Sequence, residues 1–232
     1  MEKLNRDELF TLALHLDLPS LLNFCQINKS IKNKLYLSSE IWGYKLDKDF
    51  PDFRQINVNQ NFKNMYQLLY SLSKLKEKLK RKENIYELYN LQNFDLSYNN
   101  LTEIPKEIGY LINLQRLNLY NNNLTEIPKE VGGLLNLKEI DLCRNKLIGI
   151  PKEICGLMNL QELYLMNNKL NEIPKEIGGL INIQKLYLCN NELVAIPEEI
   201  DKLTNLKELY FYGNKFTKIP NILLKNKNIR IR

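Results

Sequence analysis

Between Leu91 and the end of the chain a unit of 23 residues recurs six times without a gap, starting at Leu91, Leu114, Leu137, Leu160, Ile183 and Leu206. Each copy reads approximately LQxLxLxxNxLxxIPxEIxxLxN. A period of this length is the mark of a solenoid, in which each unit contacts only its neighbours and none can bury its apolar face alone.

The residue types inside a copy explain their spacing. In the second copy Leu117 and Leu119 alternate with Arg116, Asn118 and Tyr120, the period-2 pattern of a strand buried on one face. Leu124, Ile127, Val131 and Leu134 continue the apolar series, so each copy contributes one short strand and a set of core side chains. Asn stands at the ninth position of every copy: Asn99, Asn122, Asn145, Asn168, Asn191 and Asn214. Its amide suits backbone groups left unpaired where a strand turns, and a structural role outweighs a functional one. Six residues later come Pro105, Pro128, Pro151, Pro174, Pro197 and Pro220. They fix φ where the chain turns outward and predict an irregular or briefly helical outer side. Lys129 and Glu130, with their equivalents, read as a solvated face.

This pattern resembles the leucine-rich repeat. The resemblance implies an α/β solenoid with a parallel sheet on its concave side. At about 4.8 Å per strand, six strands make a face roughly 25 Å across. At the fifth position that face carries Asp95, Asn118, Asp141, Tyr164, Tyr187 and Tyr210, and at the seventh Ser97, Tyr120, Cys143, Met166, Cys189 and Tyr212. The later copies are expected to expose tyrosines, Met166 and Cys189 as an amphipathic patch suited to a protein partner. The target-binding candidates are Arg116, Tyr120, Glu139, Glu162, Tyr164, Met166, Lys185, Tyr187, Tyr210 and Tyr212.

The first fifty residues follow another period. Leu9, Leu12, Ala13 and Leu16 recur at helical spacing, Pro19 opens a helix with Leu21, Leu22 and Phe24, Ile31 and Leu35 mark a third, and Ile41, Trp42, Tyr44, Leu46 and Phe50 a fourth. The order Leu4, Leu16-Asp17, Leu21-Leu22 with Phe24, Ile27-Asn28-Lys29 with Ile31, and Ile41-Trp42 resembles an F-box, with Asn5 where the family usually has proline. The resemblance implies a small all-α module that binds a Skp-type adaptor and, through it, a cullin ubiquitin ligase. Leu4, Leu9, Leu16, Pro19, Leu21, Leu22 and Ile27 carry over as facing the adaptor or supporting that face. The other reading is a helical cap for the solenoid, since terminal repeats need capping.

Three segments follow: a helical module at 1–53, a basic linker helix at 54–90, and the repeats at 91–232 with a partial seventh copy from Ile229. The linker carries Met65, Tyr66, Leu68, Leu69, Leu72, Leu75 and Leu79 at helical spacing, which predicts an amphipathic helix beside the first repeat. It also holds 8 basic and 3 acidic groups, against 7 and 8 before it and 18 and 16 after it, so most of the net +6 is local to this helix. A nucleic-acid protein would place its basic stripe on the binding face, and the concave face is mixed in sign.

No run approaches membrane-spanning length and the start has no apolar signal segment, so the expected compartment is the cytoplasm, with the nucleus also open. Cys25, Cys143, Cys155 and Cys189 lack paired spacing and read as reduced thiols. The single histidine, His15, has no nucleophile partner in the pattern. No metal-ligand spacing or phosphate loop appears. The expectation is therefore a non-enzymatic binding protein without cofactor or metal, either a ligase substrate receptor or a scaffold or decoy. Exposed strand edges at the carboxyl end also suit weak self-association. Composition and module pairing resemble proteins of amoebae or of the giant DNA viruses that infect them, which implies host ubiquitination machinery, in the host cytoplasm if viral.

Overall fold

The computed structural model describes residues 6–27, 39–56, 61–216 and 230–231. Two compact units divide the chain, Met1–Leu88 and Tyr89–Arg232.

The first unit holds helices α1 (Arg6–His15), α2 (Leu18–Ile27), α3 (Ser39–Asp49) and α4 (Phe62–Lys78), then α5 (Ile85–Tyr89) at its end. The expected helix around Ile31 and Leu35 lies outside the described residues. Asp17 starts α2 by accepting the Ser20 backbone N–H at 3.0 Å, which leaves Pro19 where its missing N–H costs nothing. Asn61 does the same for α4 through the Asn64 N–H at 2.9 Å. Asn84 and Glu87 open α5 with a reciprocal pair of 2.8 Å bonds, a capping box.

The amphipathic helix expected in the linker is α4, and it buries Met65, Tyr66, Leu68, Leu69, Leu72 and Leu75. Its apolar face lies on α3, where Trp42 meets Tyr66 at 5.5 Å between ring centroids and the Tyr66 hydroxyl donates to Asp49 at 2.6 Å. The Lys45 ammonium, 1% exposed, donates to the Leu16 carbonyl at 2.7 Å, pairs with Asp49 at 3.2 Å and lies over the Tyr66 ring. A buried cation without such partners would be strongly destabilising. Lys48 donates to the Leu14 carbonyl at 3.1 Å, so two lysines of α3 satisfy carbonyls at and just past the end of α1.

The second unit is a solenoid. Seven parallel strands pair in chain order: β1 (Asn93–Asp95), β2 (Arg116–Asn118), β3 (Glu139–Asp141), β4 (Glu162–Tyr164), β5 (Lys185–Tyr187), β6 (Glu208–Tyr210) and β7 (Arg230–Ile231). The truncated seventh strand expected from the sequence is β7, in register with Glu208 and Leu209. Behind the sheet Leu117, Leu119, Leu124, Val131 and Leu134 are buried, as are their equivalents in the third, fourth and fifth copies. The outer side consists of five-residue 3-10 turns such as Lys129–Gly133 and Lys152–Gly156. Each follows a proline with φ near −60°, as at Pro105 (−59°) and Pro151 (−66°).

The asparagine ladder ties the copies together. Asn145 donates to the carbonyls of Leu119 at 2.9 Å and Leu142 at 3.1 Å and accepts from the Leu124 N–H at 3.1 Å. Asn122, Asn168 and Asn191 repeat this with the copies beside them. A second ladder lies at the last position of the unit: Asn136, Asn159, Asn182 and Asn205 donate to the carbonyls of Ile112, Leu135, Met158 and Ile181 at 2.7–2.8 Å.

The eighth position is left-handed in every copy. Tyr98, Asn121, Arg144, Asn167 and Asn190 have φ between 54° and 57°, and Gly213 has 69°. Asn and Gly tolerate this region, while Tyr98 and Arg144 adopt it at a steric cost.

Candidate functional site

Strands β2 to β6 present their third and fifth positions on the concave face in strict register, Glu139 beside Glu162 and Asp141 beside Tyr164, then Lys185 beside Glu208 and Tyr187 beside Tyr210. The central residue of each strand, such as Leu163 or Leu186, is buried behind it. Side chains of the same position therefore stack across copies at the strand spacing.

At the fifth position this brings three tyrosines together. Tyr164 meets Tyr187 edge to face at 5.0 Å, and Tyr187 stacks on Tyr210 at 4.4 Å with 15° between planes. Two of their hydroxyls are held by the third position: Tyr164 donates to Glu162 and Tyr187 to Glu208. Lys185 pairs with Glu162 at 2.9 Å. Burial, reinforced by the carboxylates, pushes the phenols of Tyr164 and Tyr187 above the ordinary tyrosine range. At Glu162 burial opposes ionisation, but the bonds from Tyr164 and Lys185 outweigh it and hold the carboxyl below its usual value. Its hydrogen bond to Glu162 raises Lys185 despite partial desolvation.

Nearer the start of the solenoid Arg116 pairs with Glu139 at 3.3 Å. These two, with Asp95, Asn118 and Asp141, line a depression of about 280 Å³. Asp95 and Asp141 are fixed there by accepting the backbone N–H groups of Ser97 and Cys143, at 2.8 and 2.9 Å. At the rim Tyr120 meets Tyr98 at 5.2 Å and receives the Arg144 guanidinium over its ring at 5.6 Å.

The structure thus places all ten target-binding candidates on one face. Arg116 and Tyr212 are exposed, and Tyr120, Glu139, Glu162, Tyr164, Met166, Lys185, Tyr187 and Tyr210 are half-buried. One expectation is corrected. Cys189 does not join the exposed patch but is fully buried, and Cys143 is 2% exposed. In register at the seventh position, Cys143 stands between Tyr120 and Met166, and Cys189 between Met166 and Tyr212, residues with longer side chains. Both are free thiols, as is Cys155, and burial raises all three, Cys155 to about 12. Tyr98 and Arg144 at the rim did not figure among the candidates. Their signal was the Asn and Gly preference of the left-handed eighth position, which they break.

In the first unit Pro19 is exposed, Leu16 and Leu22 are half-buried, and Leu21 is 1% exposed. Leu21 therefore sits beneath the surface that Pro19 and Leu22 help to form. Leu4 lies outside the described residues, as do the side chains of Leu9 and Ile27. Leu16, His15, Asp17, Lys48 and Tyr70 border a depression of about 300 Å³. Among the described residues no helix is long and apolar enough to cross a membrane, and no group of three or more His, Cys, Asp or Glu could hold a metal ion.

Comparison with known proteins places these features in a family. A leucine-rich-repeat family model matches residues 112–170, and a two-copy leucine-rich-repeat model matches 89–131 and 181–226. A search of curated proteins returned no match. Among solved structures, a leucine-rich-repeat protein of Leptospira interrogans is 32% identical with a TM-score of 0.51, over 75% of this chain and 58% of that one. The Arabidopsis receptor kinase HAESA, in complex with a peptide hormone and a co-receptor, is 34% identical with a TM-score of 0.56, over 63% of this chain and 26% of that one. The leucine-rich-repeat ectodomain of the Arabidopsis receptor kinase GASSHO1/SCHENGEN3, in complex with CASPARIAN STRIP INTEGRITY FACTOR 2, is 36% identical with a TM-score of 0.55, over 61% of this chain and 18% of that one. The chain thus spans less than two thirds of the length of each of these relatives. With six repeats in register, their asparagine ladder and these matches, the chain belongs to the leucine-rich-repeat proteins.

Proposed function

We propose that this chain is a protein-binding adaptor: its concave face holds a target protein, and its amino-terminal unit docks a Skp-type adaptor and so brings the target to a cullin ubiquitin ligase. The observation that carries the first half is the tyrosine stack Tyr164–Tyr187–Tyr210, half-buried on a rigid sheet. Aromatic groups with fixed rotamers bury large area at small entropic cost and are enriched where proteins meet. The receptor kinases similar to this solenoid were crystallised with peptide or protein ligands, which supports a polypeptide as the class of ligand. No catalytic step is assigned to the chain.

The second half is supported by the order of F-box-like residues and by helices α1, α2 and α3 over that stretch. Exposed Pro19 and half-buried Leu16 and Leu22 supply apolar surface at the α1–α2 corner of the kind that helix-in-groove contacts use. The role fits the cytoplasm, and the nucleus as well. The competing reading, a scaffold or decoy whose first unit serves as a cap, predicts no adaptor binding.

Calorimetry of the full chain with a purified Skp-type adaptor tests the proposal. Binding at micromolar or tighter affinity, lost in Pro19→Glu, is expected; no binding by the folded chain would leave the scaffold reading. Pro19 is the position to change because Leu21→Asp would place a charge in the core and confound binding with unfolding.

A further inference from the structure

The concave face is more acidic than the chain that carries it. On β1 to β6 its third and fifth positions hold Asp95, Glu139, Asp141, Glu162 and Glu208 against Arg116 and Lys185, whereas the whole chain has a net charge of +6. In each half of the face one cation is outnumbered. Arg116 pairs with Glu139 at 3.3 Å and shares its depression with Asp95 and Asp141. Lys185 pairs with Glu162 at 2.9 Å, while Glu208, on the next strand, accepts from the Tyr187 hydroxyl.

These carboxylates are held rather than free to rotate. Backbone N–H groups fix Asp95 and Asp141, and tyrosine hydroxyls fix Glu162 and Glu208. Fixed carboxylates beside aromatic rings suit a cationic side chain, which gains charge-assisted hydrogen bonds at its head and ring contact along its length. The face already shows this chemistry internally, where the Arg144 guanidinium lies over Tyr120 at 5.6 Å. Asp95 and Asp141 stand two strands apart with Asn118 between them, about 10 Å by strand spacing. That opening admits a side chain.

Resting on the concave face as the binding surface, we infer that its occupant is a polypeptide segment carrying arginine or lysine, the cation entering the Asp95–Asp141 depression and apolar groups lying on the tyrosine stack. An acidic segment would meet five carboxylates and be repelled.

The test is selection of a displayed random-peptide library on the purified full-length chain, followed by affinity measurement of the selected peptides on variants. Asp95→Asn with Asp141→Asn removes two charges but keeps an oxygen for each backbone N–H, so the fold is preserved. Enrichment of arginine and lysine, with binding weakened roughly tenfold in that double variant and lost in Tyr187→Ala, is expected. Peptides that depend on Tyr187 yet show no basic enrichment, or that ignore the double variant, would overturn the inference and leave the concave binding surface standing. A selection yielding no peptide sensitive to Tyr187→Ala would overturn both.

Discussion

Tyr187 lies flat against Tyr210, ring centroids 4.4 Å apart, and its hydroxyl reaches across to Glu208. This contact exists because the 23-residue period places the same position of successive repeats side by side. Both side chains stand on the partly open concave surface, so Tyr210→Ala should cost little stability, about 0.5–1.5 kcal/mol for the lost ring pair. A urea titration checks this; a loss of several kcal/mol would make the stack a structural device.

Asn145→Ala should be far more damaging. It removes donors from the carbonyls of Leu119 and Leu142 and an acceptor from the Leu124 N–H, all in the core between copies. Leaving such groups unpaired costs about 1–3 kcal/mol each where they stay dry, so a loss of about 3 kcal/mol is expected by urea denaturation. Asn99→Ala, at the exposed start of the ladder, should cost under about 1 kcal/mol.

The left-handed eighth position offers a stabilising change. Arg144 has φ of 55°, a conformation that costs about 1–2 kcal/mol for most side chains. Asn occupies it at Asn121, Asn167 and Asn190. Arg144→Asn should therefore raise stability by about 0.5–1 kcal/mol after the contact with Tyr120 is lost, seen as a higher thermal midpoint.

On the outer side the copies approach closely at some glycines. A Cβ on Gly132 would meet the Glu153 carbonyl oxygen at 2.5 Å, while one on Gly156 would meet nothing within 4 Å. Gly132→Ala should lower stability by about 1–3 kcal/mol through overpacking, and Gly156→Ala should not. Parallel thermal melts distinguish the two.

The bond network at Glu162 sets a pH response. Its folded-state pKa lies below the ordinary 4.5, so its stabilisation is complete above that value and fades as pH falls through the lowered folded value. Lys185 is raised above its ordinary 10.5, so its share is present below that value and fades as pH rises further. Acting alone this pair would leave the thermal midpoint level between these limits; the three buried thiols, raised above their ordinary 9.0, bring the alkaline fall forward to that value. Glu162→Gln should flatten the acid limb; an unchanged acid limb would show that the pair contributes nothing measurable.

Much of the solenoid was legible because each copy repeats one physical solution. Alternating Leu117 and Leu119, Asn122 at the turn and Pro128 on the outer side report their environments six times over. The exceptions fall where environment depends on neighbours in space. Cys189 looks exposed by position, yet it is fully buried in a row whose flanking residues, Met166 and Tyr212, have longer side chains. The left-handed eighth position was visible as Asn and Gly at Asn121, Asn167, Asn190 and Gly213, but Tyr98 and Arg144 masked it. In the linker the apolar stripe from Met65 to Leu75 marked the helix without showing that Trp42 of α3 lies against it. The bonds of Tyr164 to Glu162 and of Tyr187 to Glu208 depend on rotamers, which spacing alone does not specify.

On the proposed function, one chain holds a target and a ligase adaptor on separate surfaces. The direct measurement is affinity capture from cells with the full chain and with the triple variant Tyr164→Ala, Tyr187→Ala and Tyr210→Ala, quantifying adaptor, cullin and co-captured target. The predicted result is that the chain brings down all three, and that the variant keeps adaptor and cullin while losing the target. Capture without adaptor or cullin, or a target retained by the variant, would contradict it.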